Sequence, residues 1–516
     1  MPAKSRAKAP HSIEWKKVLV LAQKRFHIKR FRPGQQSLIE AALVGKDAIG
    51  VLPTGAGKSL TFQLPALLLE KSVLVVSPLL SLMQDQKDKL EELGISVSKL
   101  DSTLSAGEFD EELEQIRQGH RRVIYTTPEQ LSKDEIQDVL NEAGVSLAVV
   151  DEAHCLSQWG HDFRPAYLEL KRAFKALHNP AILALTATAT SEIIDDIVKQ
   201  LGMKAPKRIS LGVDRPNINL EVALTVNVKA KQEKILEVLQ QEQGSGIIYT
   251  STVRAAEEVY EFLKAHGINA ERYHAKLKKN ERQENQHRFM QNEYKVMIAT
   301  KAFGMGIDKP DIRFVIHYNF PDSLESYYQE IGRAGRDGKQ SRAVLLFQLE
   351  DKRVQSFFLG GKYPSAEESL KFYYDLKELT AGGEKKVSLS ALKLATKFSD
   401  KRIKILTNQL EGAGIIKKKG STVTFSHHFE TEEAFTAFLN EYEDRHRSDH
   451  EKLDAMMSYG QTGRCRSHFM RTYFEDGVEV ETCEHCDNCK VPIDVRLHIE
   501  PVASERLDRE HETFAV

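Results

Sequence analysis

Leu147-Ala148-Val149-Val150-Asp151-Glu152-Ala153-His154 decides the fold when read with Ala48-Ile49-Gly50-Val51-Leu52-Pro53-Thr54-Gly55-Ala56-Gly57-Lys58-Ser59, whose lysine lies 93 residues before Asp151. Each begins as a short apolar run, the pattern of a strand buried in a parallel sheet. The earlier run turns through small residues and opens a helix at Lys58-Ser59 that continues through Phe62 and Leu64. Thr54, Gly55, Ala56 and Gly57 let backbone N–H groups approach phosphates, and the helix N-terminus adds a favourable dipole. Lys58 is expected to reach the β/γ-phosphates and the Ser59 hydroxyl to ligate Mg²⁺. Leu52 stands where the strict phosphate-loop pattern has its first glycine. The later run delivers Asp151 and Glu152 to the carboxyl edge of the sheet, where ligands bind. Asp151 is expected to hold Mg²⁺ and Glu152 to orient the attacking water. Together the two segments point to an ATP-hydrolysing motor.

Further blocks agree with that reading: Leu185-Thr186-Ala187-Thr188-Ala189 and Gln329-Glu330-Ile331-Gly332-Arg333-Ala334-Gly335-Arg336. Others are Phe31-Arg32-Pro33-Gly34-Gln35, Val76-Ser77-Pro78-Leu79-Leu80-Ser81-Leu82-Met83-Gln84-Asp85-Gln86, Asp214-Arg215-Pro216-Asn217 and Phe303-Gly304-Met305-Gly306-Ile307-Asp308-Lys309-Pro310. The most specific is His154-Cys155-Leu156-Ser157-Gln158-Trp159-Gly160-His161-Asp162-Phe163-Arg164-Pro165. With these, the chain from about Phe26 to Gly338 resembles the superfamily-two helicases and, within them, the RecQ family of DNA helicases.

The resemblance implies two RecA-like lobes with ATP between them. Arg336 is then the finger that meets the γ-phosphate on closure, with Arg333 assisting and Gln329 in the same cleft. Gln35 resembles the glutamine that reads adenine, with Arg32 beside it. Ile28 stands where many members have an aromatic residue that stacks on adenine, and His27 replaces a glycine. Lys276 also replaces a glycine, and Asp308 an asparagine. His154 is expected to couple the acidic motif to its neighbours. Trp159, Phe163 and Arg164 are expected to sense DNA, since base–aromatic stacking is worth about 1–3 kcal/mol per base.

The chain has 516 residues, 41% hydrophobic and 28% charged, enough for several cores. Its net charge of −1 means that nucleic-acid binding must come from local patches rather than overall basicity. The basic start, Met1 to Pro10, has no apolar h-region. No stretch approaches a membrane span. The expected compartment is intracellular and reducing, either cytoplasmic (the bacterial nucleoid) or nuclear.

Of the five cysteines, Cys483, Cys486 and Cys489 read C-x-x-C-x-x-C, and Cys465 lies 18 residues upstream of Cys483. Four soft thiolates at this spacing suit tetrahedral Zn²⁺; disulfides are the alternative and are rare inside cells. Before them, Leu389, Leu392, Ala395 and Phe398, then Ile403, Leu406 and Leu410, recur at helical spacing. Gly412-Ala413-Gly414 stops the second helix, and Ile415 to Phe425 reads as a hairpin with a basic tip. This is a winged-helix pattern, with Lys401, Arg402 and Lys404 on the second helix and Lys417, Lys418 and Lys419 on the wing. Most family members place the zinc module first; here it follows the winged helix. The wing tip has no aromatic residue.

The expected fold class is α/β: two RecA-like parallel-sheet lobes, then a winged-helix-like domain and a zinc-binding helical module. The expected divisions are a flexible basic N-terminus (1–12), lobe 1 (13–207), lobe 2 (208–350), the winged helix (363–428), the zinc module (429–491) and a flexible polar tail (492–516). The resemblance implies an ATP-dependent 3′–5′ DNA helicase using ATP, Mg²⁺ and Zn²⁺ on single-stranded and tailed or branched double-stranded DNA, in repair or recombination. The rival readings are an RNA-remodelling ATPase of the same superfamily and a DNA-binding or annealing protein with a weak motor.

Overall fold

In a computed structural model that describes residues 13–157, 164–303, 307, 309–381, 385–477 and 481–491, two all-parallel sheets succeed one another along the chain. The first contains β1 (Ala48–Val51), β2 (Ser72–Val76), β3 (Val97–Leu100), β4 (Val123–Thr126), β5 (Val145–Val150), β6 (Ala181–Thr186) and β7 (Lys207–Ser210), in the order β3-β4-β2-β5-β6-β1-β7. Apolar side chains cover both faces: Val51, Leu74, Ile124 and Val150 on one, Leu52, Val73, Val123 and Val149 on the other. Double coverage is why the strands read as unbroken apolar runs. β7 pairs with β1 over Lys207–Ser210, so the first lobe extends beyond the expected boundary at 207.

The second sheet contains β8 (Ile218–Leu224), β9 (Ser245–Tyr249), β10 (Ala270–Tyr273), β11 (Val296–Ala299), β12 (Ile312–His317) and β13 (Ser341–Phe347), in the order β10-β11-β9-β12-β13-β8. It too has a core on each face. A buried ion pair closes this lobe. Lys231 Nζ lies 2.7 Å from Asp351 Oδ2 and donates to Tyr318 O at 2.7 Å, while Asn319 Nδ2 donates to Asp351 Oδ1 at 3.0 Å. The Lys352–Lys362 helix that leaves the lobe is thereby anchored at its first turn.

The winged helix is present as the helices Leu389–Thr396 and Asp400–Gly412 with β14 (Val387–Ser388), β15 (Ile416–Lys419) and β16 (Thr422–Phe425), antiparallel in the order β14-β16-β15. The boundary expected at 429 does not divide two separate bodies. One helix, Glu432–Gln461, packs Phe435 into the winged-helix core and Leu453, Met456 and Tyr459 into the core of the second lobe. That same core takes in Cys465, Met470, Phe474 and Cys486, so the cysteine module shares its apolar interior with lobe 2. No helix among the described residues is long and apolar enough to cross a membrane. Residues 1–12 and 492–516, expected to be flexible ends, lie outside the described residues, as does Asp308.

Lys231→Ala should leave the Asp351 carboxylate buried without its ammonium and cost about 3–5 kcal/mol of stability. Denaturant melts of the two proteins check this, and a change below about 1 kcal/mol would mean that the pair does not close the lobe.

Candidate nucleotide cleft and cysteine site

The phosphate loop runs from the end of β1 to the Leu60–Ala66 helix, and β5 ends beside it at Asp151. Gly57 has φ +81°, a conformation that favours glycine, and a Cβ there would stand 2.5 Å from Gln35 Nε2 and displace that amide from the loop. Gln35 braces the loop: its Nε2 donates to Gly57 O at 2.9 Å and its Oε1 accepts from Arg32 N at 2.8 Å. Arg32 Nη1 donates to Gly55 O. Both ends of the Gln35 amide are thus engaged by protein, so contact with a base would require these bonds to exchange. Ile28 packs into the small apolar cluster around Val18, Ala22 and Leu64. His27 takes φ 56° at the C-terminus of the Trp15–Phe26 helix, a conformation that costs glycine nothing and accounts for the family's residue there.

Glu152 is held at φ 49°, ψ 48°, a left-handed conformation that costs a non-glycine residue about 1–3 kcal/mol. The result is two half-buried carboxylates with different electrostatics. Burial, followed by the Glu152 charge, pushes Asp151 up to about 7 against the pull of Lys58. Burial also acts to raise Glu152, but Lys58, His154, Arg333 and Arg336 outweigh it and hold that carboxyl below its ordinary value. His154 Nδ1 lies 3.4 Å from Glu152 Oε2 and 3.0 Å from Thr186 Oγ1. The Thr186 hydroxyl donates to Thr188 O at 3.0 Å, which leaves it to accept from a protonated Nδ1. Behind the motif, the buried Tyr167 donates its hydroxyl to Asp151 O at 3.2 Å.

The second lobe meets the loop directly. A Cβ on Gly55 would lie 3.4 Å from Arg336 Cγ, and one on Gly332 would lie 3.1 Å from Thr54 Cβ. Gln329 is half-buried one turn earlier, on the Leu324–Ile331 helix. The side chain that spans the cleft is one to which the sequence assigned no role. Arg215 donates to Thr54 O (2.8 Å) on the first lobe and to Gly332 O (3.2 Å), Ala334 O (3.0 Å) and Gly335 O (3.3 Å) on the second. Asn217 Nδ2 adds a bond to Gly335 O at 2.8 Å. The signal was Asp214-Arg215-Pro216-Asn217 itself, one of the blocks that carry the resemblance, which revealed no bonding partner.

Trp159 and Phe163 lie outside the described residues. Arg164, just after them, donates to Pro78 O at 3.3 Å. On the winged helix, Arg402 departs from its expected outward role. It is half-buried and turns inward to pair with Glu368 at 3.3 Å, because its place on the helix faces the Ala366–Leu379 helix rather than solvent. Lys401, Lys404, Lys417 and Lys419 are exposed and Lys418 is half-buried.

Cys465, Cys483, Cys486 and Cys489 bring their sulfur atoms within 4.8 Å of one another. A tetrahedron with Zn–S bonds of about 2.3 Å has edges of roughly 3.8 Å, so the set fits zinc with little adjustment. Backbone donors already point at the sulfurs: His468 N to Cys465 (3.4 Å), Arg466 N to Cys486 (3.5 Å) and Cys486 N to Cys483 (3.3 Å). Burial pushes the Cys465 thiol up to about 11, and a bound dication is what would favour thiolate there. His485 is turned to the backbone, Nδ1 to Cys483 O at 2.6 Å. Asp487, held within the module by Arg466 (2.7 Å), accepts from Val222 N of β8 at 2.9 Å, and Lys490 Nζ donates to Asn219 Oδ1 at 2.9 Å, which pins the module to lobe 2.

A phosphate loop and acidic pair on one parallel-sheet lobe, faced by arginines from a second, define a two-lobed nucleoside-triphosphatase motor. Family models agree: DEAD/DEAH box helicase matches residues 32–197, helicase conserved C-terminal domain 230–338, and RecQ zinc-binding 424–490. The chain is 44% identical over 357 residues to the ATP-dependent DNA helicase RecQ of Bacillus subtilis, covering 69% of this chain and 59% of that protein. It is 43% identical over 338 residues to the probable ATP-dependent DNA helicase RecS of the same organism, covering 64% of this chain and 68% of that one. The Mycobacterium smegmatis helicase Lhr, solved bound to ssDNA and AMP-PNP, shares the fold at TM-score 0.54 and 20% identity, over 81% of this chain and 61% of that one. The chain belongs to the RecQ family. Its zinc ligands follow its winged helix, as the order of the cysteines indicated.

Cys486→Ser should abolish stoichiometric zinc, measured by atomic absorption, and expose the Arg466–Tyr473 region to proteolysis. Full zinc content and wild-type resistance to proteolysis in this variant would remove the metal from the account.

Proposed function

We propose that the chain is an ATP-dependent DNA helicase that moves 3′ to 5′ along one strand and displaces the other. The observation that carries the reading is the apposition of Arg215, Arg333 and Arg336 to the phosphate loop and Glu152. In this reading Lys58 and the loop N–H groups hold the β/γ-phosphates, and Glu152, kept ionised by its cationic neighbours, accepts a hydrogen bond from the attacking water. Ser59 and Asp151 would hold Mg²⁺, which neutralises phosphate charge when bound. Asp151 fits that task, because burial and the Glu152 charge outweigh Lys58 and a dication would restore the balance in favour of the carboxylate.

Arg336, with Arg333 beside it, stabilises charge on the transferring phosphoryl group only when the lobes are closed, and Gln329 completes that side of the cleft. Closure and release then alternate with hydrolysis, which ratchets a bound strand. Gln35 and Arg32 brace the loop and exchange their bonds for adenine as ATP enters. His154 reports to Thr186, and so to the Thr186–Ala189 turn. Trp159, Phe163 and Arg164 sense the strand, and Lys401, Lys417, Lys418 and Lys419 hold duplex phosphates. DNA is favoured over RNA by the RecQ-type relatives and the zinc module. Tailed or branched duplexes are the proposed substrates, repair and recombination the setting, and the interior of the cell the site of action.

Strand displacement with ATP and Mg²⁺ tests this directly. A 3′-tailed duplex should be opened and a 5′-tailed one not, with Lys58→Ala inactive on both. Arg336→Ala should lower the turnover of DNA-stimulated ATP hydrolysis by about 10³-fold or more while ATP still binds. Equal release from both substrates would refute the polarity, and unchanged turnover in Arg336→Ala would refute the finger.

A further inference from the structure

The Lys352–Lys362 helix leaves the second lobe with two adjacent aromatic rings on its surface. Its inner face is anchored: Gln355 Nε2 donates to Ser251 Oγ at 3.0 Å and to Phe320 O at 2.6 Å, and Leu359 is buried. On the other face, Phe357 is 71% exposed and Phe358 45%, their centroids 6.0 Å apart in an edge-to-face arrangement. Two large apolar side chains left in water forgo the stabilisation that burial gives such groups, and clustered exposed rings of this kind mark interaction sites.

The surroundings indicate the occupant. Phe358 forms part of the wall of a cavity of about 310 Å³ at the carboxyl ends of β9 and β11. Its polar wall includes Thr250, Ser251 and Thr300, and its two lysines stand beside carboxylates, Lys301 3.4 Å from Asp322 and Lys452 4.0 Å from Asp449, so the free positive charge lies on the outer side of the rings. On the outer side, the Lys401 ammonium of the winged helix stands 5.7 Å from the centre of the Phe357 ring. Arg353, exposed, lies one helical turn before Phe357. Flat rings bordered by cations on a rigid helix suit a ligand with π-faces and negative charge, which is what a single strand presents as it leaves a duplex. The basic hairpin tip at Lys417 to Ser421 has no ring to perform this task.

We propose that Phe357 and Phe358 are the strand-separating element of this protein: bases freed from the end of the duplex stack on the two rings, and Lys401 holds the adjoining phosphate. The inference rests on the helicase reading and adds to it the place where the duplex opens. The platform is fixed to the motor through Gln355 and the Lys231–Asp351 pair, so movement of the second lobe carries it into the duplex.

The test uses the full chain with Phe357→Ala/Phe358→Ala on a 3′-tailed duplex, with ATP hydrolysis stimulated by single-stranded DNA measured alongside. Strand displacement should fall at least about tenfold, while stimulated hydrolysis stays within about twofold. Phe357→Trp should restore displacement, and in a Trp15→Phe/Trp159→Phe background its indole, then the sole tryptophan, should be quenched by a single-stranded oligonucleotide. Undiminished displacement by the double variant would overturn the proposal, as would an equal fall in displacement and hydrolysis, which would mark a general loss of DNA affinity or fold. Wild-type protein that hydrolyses ATP yet separates no strands would instead sink the helicase reading. The fluorescence experiment then decides the platform alone, and an unquenched indole, as expected of a protein-docking face, rejects it.

Discussion

Arg215 is the constraint on which the arrangement of this molecule depends. Its guanidinium is largely taken from solvent and, among the described residues, bonds to backbone carbonyls of Thr54, Gly332, Ala334 and Gly335 rather than to a carboxylate. Burial lowers its pKa, so the contact has a real desolvation cost that only several simultaneous acceptors can offset. Those acceptors belong to the phosphate loop and to the turn that carries Arg333 and Arg336. One side chain therefore sets the distance between the two halves of the proposed hydrolytic site.

The C-terminal module reaches the same hinge. Arg471 pairs with Asp214 at 2.6 Å, Asp476 Oδ2 accepts from Val213 N at 3.4 Å, and Glu475 Oε2 accepts from Ser191 N of the first lobe at 2.9 Å. Tyr473 donates to Glu325 at 3.0 Å, on the helix that leads to Gly332. Placing the cysteine module after the winged helix leaves it packed on the motor. The Glu432–Gln461 helix spans the distance by contributing to both cores. Integrity of the cysteine site and geometry of the cleft are thereby mechanically linked.

Within the cleft, a single strand end supplies two carboxylates with opposite tendencies. Asp151 lies at the end of β5 in the interior and is raised; Glu152, turned into the left-handed region, faces Lys58, His154 and the arginines and is lowered. That division suits one group to a metal ion and the other to a water molecule, and it arises from where each side chain points rather than from any difference in chemical type.

Much of this was legible in the residues. The apolar runs at Leu147–Val150 and Ile182–Leu185 are strands because both faces of a parallel sheet must be buried, and cysteine spacing foretold a thiolate cluster that closes to within 4.8 Å. β3 carries no such run: Ser98 and Lys99 interrupt its apolar pattern, and their burial is made tolerable by Glu112 and Asp101, partners outside the strand. The inward turn of Arg402, the shared core beneath the zinc ligands and the bridge made by Arg215 were likewise invisible. Sequence alone determined which chemical groups this protein has, because local periodicity and ligand spacing lie within a few residues of chain. Tertiary structure alone decided which of them meet, because hydrogen bonds and buried charge depend on distances between segments more than a hundred residues apart in the chain.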